Sequence, residues 1–413
     1  MTMKLHIQAD RIFKDLNSLR QIGKTPWDGV TRLPFTEEDQ AAREYLLHEM
    51  HSIGLETRVD EASSVCGVRP GNTDKSHAVV MGSHYDTVIN GGAYDGILGV
   101  VCGLEVLRVL HENQVQLSKP VELIAFNDEE GVRFNRGFTG SKAIIGHVTD
   151  EDIWKTRDRQ GISLGQAMQQ AGFDPTLIGK VQREPEQISA YVELHIEQGP
   201  VLEAEQLDIG VVTTIAGTWR TFVEIIGRPD HAGTTPMHMR KDPLVAAAQL
   251  IAKLPGFAHL VDPQGVATVG IVNVEPNVAN VVPAKVTFSL DIRSQFGGAA
   301  RQVTARVIEE ARSICGDQLE CNIRMAMEEE PVHTDHHIQQ VIEDAAKENG
   351  YAFKRMFSGA GHDAQIMALL CPVGMIFVPS RSGRSHSHLE YTTPEAIAKG
   401  AQVLLDAILT LAK

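Results

Sequence analysis

Acidic and imidazole side chains stand in short motifs along this chain, each beside glycine or serine and far from the others in sequence. The motifs supply His84, Asp86, Asp95, Glu129, Glu130, His195 and His386. Imidazole nitrogens and carboxylate oxygens are the groups with which proteins bind divalent transition metals. A further carboxylate at such a site can act as a general base on water. The set therefore predicts a hydrolase that uses two metal ions.

His84 and Asp95 are the first two predicted ligands. Asp86 lies two residues after His84, and a carboxylate near a metal-bound imidazole can accept its second N–H and fix the tautomer. Asp95 lies among glycines immediately before a predicted helix. Its oxygens could cap that helix or bridge two cations, and these roles compete for the same atoms. If Asp95 is a metal ligand, we therefore expect that capping the helix is not its main role.

Glu129 and Glu130 are adjacent and follow the apolar sequence Ile-Ala-Phe. Neighbouring carboxylates repel unless a cation lies between them or one of them holds a proton. A solvated surface pair is the alternative, which the apolar flanks disfavour. We expect Glu130 to be a metal ligand and Glu129 to be the general base that deprotonates water.

Two further histidines complete the predicted ligand set. His195 is flanked at positions i−2 and i+2 by Glu193 and Glu197, which share its face on an extended segment. His386 lies in a polar loop, where His388 is the alternative that spacing does not exclude. Three imidazoles and two carboxylates would give a bridging carboxylate and two terminal ligands per ion. This donor set favours Zn²⁺ and allows Mn²⁺, Co²⁺ or Ni²⁺.

Elements that could position these side chains alternate along the first part of the chain. Residues 77–82 and 121–126 have the pattern of buried strands, and residues 96–110 that of an apolar helix. The polar motifs lie just beyond strands or at a helix start. Ligands bind at the carboxyl ends of strands in α/β sheets. We therefore expect an α/β catalytic domain with a mixed sheet.

The middle of the chain predicts a second, smaller domain. Its pattern is β-β-α-β-β-α, with strands at 210–215, 221–226, 267–274 and 285–292 and helices at 242–254 and 299–315. The first pattern then resumes with a helix near 339–349 and a strand at 374–379. We expect an inserted α+β domain over 209–326 and a catalytic domain formed by 1–208 and 327–413.

Composition sets wider limits. With 413 residues and 43% hydrophobic residues, the chain is long enough for two domains. A net charge of −15 disfavours nucleic acid and anionic membranes as partners. The N-terminus lacks an apolar segment, and we find no run of about 18 apolar residues. Five scattered cysteines are expected to be buried, reduced thiols. We expect a cytoplasmic protein.

Six motifs resemble the amidase, hydantoinase and carbamoylase branch of the M20 family of dinuclear metal hydrolases, over nearly the whole chain. They are Gly82-Ser-His-Tyr-Asp-Thr-Val88, Asn90-Gly-Gly-Ala-Tyr-Asp-Gly96, Asp128-Glu-Glu-Gly-Val-Arg-Phe134, Glu193-Leu-His-Ile-Glu-Gln-Gly199, His231-Ala-Gly-Thr-Thr-Pro-Met237 and Ser358-Gly-Ala-Gly-His-Asp363. The resemblance implies the ligands His84, Asp95, Glu130, His195 and His386, with Asp95 bridging, and Glu129 as the base.

The resemblance also implies the residues that bind substrate. The inserted domain would serve as a lid or dimerisation domain. Its residues His231, Asn280 and Arg293 would hold the substrate, either within one chain or across the interface of a homodimer. Gln198, Gly361 and His362 would line the pocket. A histidine N–H can stabilise an oxyanion, and the planar guanidinium of Arg293 suits a carboxylate.

The implied reaction is cleavage of the C–N bond of an N-carbamoyl group on an L-amino acid, which releases the amino acid, CO₂ and ammonia. The segment 128–141 is more similar to these enzymes than to the allantoate enzymes. Allantoate or N-carbamoyl-β-alanine is the alternative substrate; a dipeptidase or aminoacylase is a further one. A catalytically silent binding protein is disfavoured because it would not need Glu129. The expected partner is a small ureido molecule with a carboxylate.

Overall fold

A computed structural model describes residues 4–74 and 76–413. The first three residues of the N-terminal segment considered above lie outside this range. The chain forms two compact units. One contains the described residues up to Thr213 and from Thr334 onward, and the other is Thr214–His333.

The strands are β1 Glu56–Val59, β2 Val65–Arg69, β3 Ala78–His84, β4 Val121–Phe126, β5 Ile188–Ile196, β6 Ile209–Ile215, β7 Gly217–Ile226, β8 Asp230–His231, β9 Val266–Thr268, β10 Val272–Glu275, β11 Val281–Val282, β12 Lys285–Ser294, β13 Glu320–Glu329, β14 Val332–His333, β15 Phe353–Ser358 and β16 Val373–Val378. The α-helices are α1 Ala9–Gln21, α2 Glu37–Ser52, α3 Ile97–Glu112, α4 Thr139–Ile144, α5 Asp150–Lys155, α6 Leu164–Gln170, α7 Val201–Glu205, α8 Pro243–Val261, α9 Ala299–Cys315, α10 His336–Glu348, α11 Asp363–Met367 and α12 Pro394–Leu411.

The large sheet is mixed, as predicted. Among the described residues its nine strands have the order β1-β2-β4-β3-β5-β16-β6-β14, and β15 also pairs with β6. The central strands β4, β3, β5 and β16 are parallel, whereas β2 and β6 flank them in antiparallel orientation. The carboxyl ends of four neighbouring strands therefore meet at one edge, where ligands bind in such sheets.

The central strands are mainly apolar because both of their faces are covered. Every residue of β3, β4 and β16 is buried. Helix α3 is buried from Ile97 to Leu110, where it packs on β3, β4 and β5 and against α1 and α12. A helix enclosed in this way is mainly apolar, and its buried Glu105 and Arg108 form ion pairs with Arg11 and Asp15. Strand β4 has the predicted bounds, while β3 continues two residues further and ends at His84.

The second unit has an antiparallel sheet of order β10-β12-β7-β13, with β9 also paired to β12. Helices α8 and α9 pack against each other and on this sheet around Trp219, Leu250 and Val303. Helix α8 begins with Asp242 as its N-cap and Pro243 at its first position, a favourable helix start.

Two details of this unit differ from the sequence prediction. Residues 210–215 belong to the large sheet, because β6 pairs with β16 through Met375 and Val212. The predicted strand at 267–274 is two short strands. Thr268 pairs with Asp291 of β12, and Val272 pairs with Phe288 of β12. The segment between Thr268 and Val272 is one residue longer than the segment of β12 between Phe288 and Asp291, so the hydrogen-bond ladder is interrupted. Strand β13, after α9, completes the sheet.

Helix α8 is longer than predicted. Among the described residues, it is the one helix that is long and apolar enough to cross a membrane by length and composition, an exception to our expectation from the sequence. Its residues Ala247, Leu250 and Leu254 are buried in the core of the second unit. One face of α8 therefore packs within this unit, whereas Leu244, Val245 and Leu260 are exposed.

Candidate metal centre

The ends of four parallel strands carry the predicted ligands of the first unit. His84 is the last residue of β3, and His195 lies one residue before the end of β5. Glu130 follows β4, and His386 follows β16. Residues more than a hundred positions apart in the chain are thus brought to one edge of the sheet, as the motif positions predict.

Asp95 is shared by two groups of candidate metal ligands. Its Oδ1 lies 3.2 Å from His195 Nε2 and 3.5 Å from His84 Nε2. Its Oδ2 lies 3.5 Å from His386 Nε2, which is 3.3 Å from Glu130 Oε2. Within each group the ligand atoms lie within 4.8 Å of one another. One carboxylate is therefore positioned to bridge two cations.

Both buried imidazoles present Nε2 to Asp95. The Nδ1–H of His84 donates to the carbonyl of Asp86 at 3.1 Å, and that of His195 donates to the carbonyl of Ile196 at 2.9 Å. These bonds assign the unprotonated nitrogen to Nε2. The amide of Gly96 also donates to His195 Nε2 at 3.1 Å. A lone pair on Nε2 and one on Asp95 Oδ1 then face each other, which requires a cation or a proton between them.

The carboxylate of Asp95 does not cap helix α3. Gly96 is the N-cap residue and has no side chain that could cap the helix. Oδ2 of Asp95 accepts hydrogen bonds from Gln198 Nε2 at 2.8 Å and from the Ser385 hydroxyl. Oδ1 is buried and has no hydrogen-bond partner, a costly state that a metal ion would relieve. The donor set and this oxygen fit a divalent cation.

Asp86 holds two segments of the centre together. Its Oδ1 accepts the amide N–H of Glu129 at 3.0 Å, and its Oδ2 accepts that of Glu130 at 3.2 Å. The sequence had suggested a bond from its carboxylate to His84. The structure instead places Oδ1 3.6 Å from His84 Nδ1, because the backbone carbonyl of Asp86 takes that N–H. Asp86 thus fixes the glutamate pair relative to β3.

Glu129 is buried beside the ligands. Its Oε2 lies 3.8 Å from His84 Nε2, and it forms a further candidate group with His84 and Glu130. Of the two glutamates, only Glu130 also forms a candidate ligand group with Asp95 and His386. This difference favours Glu130 as the ligand and leaves Glu129 beside the ions.

Buried charges at the centre are only partly compensated by protein groups. Burial raises the pKa of Glu129 well above its usual range, and Glu130 adds to this. Burial and Asp95 likewise raise the pKa of Glu130. Burial also opposes ionisation of Asp95, but the neighbouring imidazoles of His195 and His84 outweigh it and hold its pKa well below normal. Strongly perturbed carboxyl groups in one cluster are typical of functional sites.

His386, rather than His388, approaches Asp95 and Glu130. Its backbone has φ 54°, and its side chain is 52% exposed, unlike the buried imidazoles of His84 and His195. His388 lies towards Asp28, whose pKa is lowered by Lys24, Arg20 and His388. The left-handed turn at His386 gives two histidines of one loop different directions.

Comparison with known proteins bears on this geometry. The profile described as peptidase family M20/M25/M40 matches residues 80–410. The chain belongs to this family. It is 41% identical to an N-carbamoyl-L-amino acid amidohydrolase of Geobacillus stearothermophilus, over 98% of this chain and 99% of that protein. It is 40% identical to an allantoate amidohydrolase of Bacillus subtilis (strain 168), over 95% of each.

A crystal structure of an amidase of the hydantoinase/carbamoylase family from Burkholderia multivorans superposes with a TM-score of 0.93, at 36% identity over 99% of both chains. The family expected from the six motifs is thus confirmed. The M20 family membership and the ligand groups together indicate a dinuclear centre for divalent metals.

The predicted pocket residues of this M20 chain lie against the ligands. The buried ring of His362 is 4.6 Å from that of His195, and its Nε2 bonds the Ser358 hydroxyl at 2.8 Å. Gly361 approaches Phe138 so closely that an added Cβ would lie 3.0 Å from its ring. Gln198, as described, binds Asp95.

The other predicted substrate residues lie in the second unit. Strand β8 pairs with β11, and Ala232 donates to the carbonyl of Asn280 at 3.0 Å, so Asn280 adjoins His231. Nδ1 of His231 accepts the amides of Gly233 at 3.0 Å and Thr234 at 3.2 Å. Its proton therefore resides on Nε2, which can donate. Arg293, on β12, bonds Asp291 at 3.0 Å.

Sequence reasoning missed Glu390 as part of the centre. Its Oε1 accepts the amides of Tyr94 at 2.9 Å and Asp95 at 3.0 Å, and its Oε2 lies 2.9 Å from the Ser385 hydroxyl oxygen. Burial raises its pKa to about 7. Its place at the end of the polar loop after His386 was the available signal, but nothing in the sequence relates it to Asp95.

Proposed function

We propose that this M20 enzyme is a metal-dependent amidohydrolase that cleaves the C–N bond of an N-carbamoyl group on an L-amino acid. The observation that carries the proposal is the position of Asp95 between two ligand groups, with Oδ1 buried and unpaired. The similarity to an N-carbamoyl-L-amino acid amidohydrolase over almost the whole chain supports the substrate class.

We assign His84, Asp95 and His195 to one ion and Asp95, Glu130 and His386 to the other. Zn²⁺ suits these donors best, and Mn²⁺, Co²⁺ or Ni²⁺ is compatible with them. When bound, the ions would polarise the ureido carbonyl and lower the pKa of water.

Glu129 is the proposed general base. Its carboxylate is buried beside His84, and its backbone N–H donates a hydrogen bond to Asp86 Oδ1. It would take a proton from the attacking water and then give it to the leaving nitrogen, so that one group serves both steps.

His231 is the proposed donor to the oxyanion. The two backbone amides on Nδ1 keep the proton on Nε2, so the neutral ring is an oriented donor. Arg293 and Asn280 would bind the carboxylate of the substrate. We further propose a cytoplasmic homodimer formed through the inserted domain, in which these residues act either on their own chain's substrate or on the partner's.

Allantoate is the second candidate substrate, because the allantoate amidohydrolase of B. subtilis is almost as similar to this chain. The metal residues are compatible with either ureido compound. The segment 128–141 favours the carbamoyl amino acid. N-carbamoyl-β-alanine is a third option that differs in the position of the carboxylate.

The test is ammonia release from a panel of N-carbamoyl-L-amino acids, N-carbamoyl-β-alanine and allantoate, with dipeptides followed by amine release. Each reaction is run with Mn²⁺, with Zn²⁺ and with a chelator. We expect turnover of N-carbamoyl-L-amino acids that requires metal and is highest in the panel. If allantoate is turned over faster, it would be the substrate instead of an N-carbamoyl-L-amino acid. If no compound is turned over with metal present, the proposed enzymatic activity would be refuted.

A further inference from the structure

The polar loop after β16 contributes more to the metal centre than one ligand. The side chain of His386 is 52% exposed, whereas Glu390, four residues later in the same loop, is 5% exposed. Ser385, which precedes His386, is half-buried. Among the described residues, three hydrogen bonds join Ser385 and Glu390 to the segment that carries Asp95.

Glu390 holds the backbone of this segment. Its Oε1 accepts the amide N–H groups of Tyr94 at 2.9 Å and Asp95 at 3.0 Å. Hydrogen bonds from amides to a carboxylate are roughly twice as strong as those between neutral groups. Gly92 leaves the space for this carboxyl group, because an added Cβ would overlap it. The backbone of Asp95 is thus held by a residue 295 positions away.

Ser385 holds the carboxylate of Asp95 itself. Its hydroxyl donates to Asp95 Oδ2, and its oxygen also lies 2.9 Å from Glu390 Oε2. Oδ2 is the oxygen that faces His386 Nε2 at 3.5 Å, whereas Oδ1 faces the two buried imidazoles. Ser385 and Glu390 therefore act on the side of Asp95 that belongs to the group with Glu130 and His386.

The two ligand groups depend on this loop to different degrees. The rings of His84 and His195 are buried, and backbone carbonyls orient them. The exposed ring of His386 instead depends on the loop that Glu390 attaches to the segment of Asp95. Contacts that orient metal ligands typically change metal affinity by about 10–100-fold.

We propose that Glu390 is a positioning residue that, together with Ser385, sets the affinity of the ion held by Asp95, Glu130 and His386. The inference rests on the proposed assignment of the two ligand groups. Glu390 acts through Asp95, because its Oε1 is engaged by two amides and its Oε2 contacts Ser385.

Hydrogen bonding by the side chain at position 390, rather than its charge, carries this effect. A glutamine there would keep Oε1 as the acceptor for both amides. Its Nε2 would donate to Ser385 Oγ, which leaves the hydroxyl proton of Ser385 for Asp95. Alanine would remove all of these bonds.

The test is calorimetric titration of metal-free, full-length protein with Co²⁺, with the visible absorption spectrum recorded after each addition. Wild type should bind two ions. Glu390→Ala should bind one ion nearly as tightly as wild type and the second about 10–100-fold more weakly, and the spectral change that accompanies the second ion should shift to correspondingly higher Co²⁺ concentration. Glu390→Gln should restore the second ion and its spectrum.

Ser385 provides an independent pair of variants. Ser385→Ala should weaken the second ion, and Ser385→Thr, which keeps a hydroxyl, should restore it. Glu105→Ala is the control for loss of a buried carboxylate, because Glu105 accepts the amide of Gln8 at 2.8 Å on α3. This control should lower the thermal stability of the protein but leave both ions bound.

The proposal is overturned if Glu390→Ala binds both ions as tightly as wild type, or if it weakens both equally, which is the pattern of a general structural defect. A Glu390→Gln variant as defective as Glu390→Ala would assign the effect to charge and equally overturn it. Fewer than two ions in wild type would refute the assignment of the ligand groups and this inference with it. None of these readouts depends on turnover, so the proposed reaction is tested separately.

Discussion

The metal centre of the first unit and the predicted substrate residues of the second unit are held in different ways. His84, Asp95 and His195 are at most 5% exposed, and the hydrogen bonds to Asp95 Oδ2 come from Gln198 and Ser385, 103 and 290 residues further along the chain. His231 and Asn280 are exposed and are held by neighbours within one short pair of strands. Arg293 lies two residues from its partner Asp291.

This difference suits two tasks. Activation of water requires ligands and base fixed to within a fraction of an ångström, which buried strand ends and several hydrogen bonds per side chain provide. Choice of substrate tolerates exposed residues on short elements, which can change without disturbing the core. We therefore expect changes in the first unit to abolish the reaction and changes in the second to alter its efficiency and selectivity.

The largest effect is expected for Asp95→Asn. The amide cannot bridge two cations as a carboxylate does, so both ligand groups lose a member. We predict loss of bound metal and a fall in kcat of about 10⁴-fold or more. Metal analysis and ammonia release measure this, with the exposed Asp344→Asn as the matched control. If Asp95→Asn still binds two ions, Asp95 is not required as a metal ligand.

Glu129→Gln should lower kcat by about 10²–10⁴-fold while metal content stays at the wild-type value. The amide preserves shape but cannot accept a proton. Glu130→Gln is the informative partner, because it should lose metal as well as activity. The reverse pattern, with metal lost in Glu129→Gln alone, would show that the two roles are exchanged.

His231→Asn should lower kcat by about 10²–10³-fold with metal content unchanged, because an oriented oxyanion donor is removed. His238→Asn changes an exposed histidine of the same unit and should have no effect. If His231→Asn loses metal, our assignment of metal binding to the first unit and of substrate binding to the second unit is wrong.

Asp86→Asn should lower metal affinity or activity by about 10–100-fold. The asparagine NH₂ would face one of the two amides that the carboxylate now accepts, so either Glu129 or Glu130 shifts. Metal titration and turnover report the change. An effect as small as that of the Asp344→Asn control would mean that other contacts suffice to position the glutamates.

Asp60 allows the effect of burial on the stability of the protein to be tested at a residue that is not part of the proposed catalytic site. Its carboxylate accepts the amides of Ala62 at 3.0 Å and Ser64 at 2.8 Å, and burial raises its pKa to about 7. The pKa in the unfolded chain is about 4. The stabilising effect of the protonated form is therefore complete below about pH 4 and is lost as the pH rises through about 7.

Asp60→Asn keeps an acceptor for the two amides but cannot ionise. Its free energy of unfolding relative to wild type should therefore increase between about pH 5 and about pH 8, by on the order of a few kcal/mol. Urea unfolding across this pH range measures the difference, and turnover should not change. A pH-independent difference would contradict the assigned titration.

Local sequence signals predicted much of the first unit. Apolar runs followed by polar motifs placed His84, Glu130 and His386 after strands, because burial on both faces requires continuous apolar residues. The contact of Glu390 with Asp95 joins positions 295 apart and has no local signal. The choice between His386 and His388 depends on one left-handed backbone angle.

The second unit was less predictable for a related reason. The pattern of residues 210–215 identifies a strand but not its sheet, which depends on pairing with β16 far along the chain. The interruption between β9 and β10 depends on register with β12. Pairing partners of strands are properties of the whole fold, and short apolar patterns do not specify them.

The central claim is that the first unit alone provides a centre for two metal ions. Calorimetric titration of metal-free protein with Mn²⁺ tests it most directly, on wild type, Asp95→Asn and His231→Asn in parallel. We predict two ions per chain for wild type and for His231→Asn, and no tight binding for Asp95→Asn. One ion or none in wild type, or loss of binding in His231→Asn, would contradict the account.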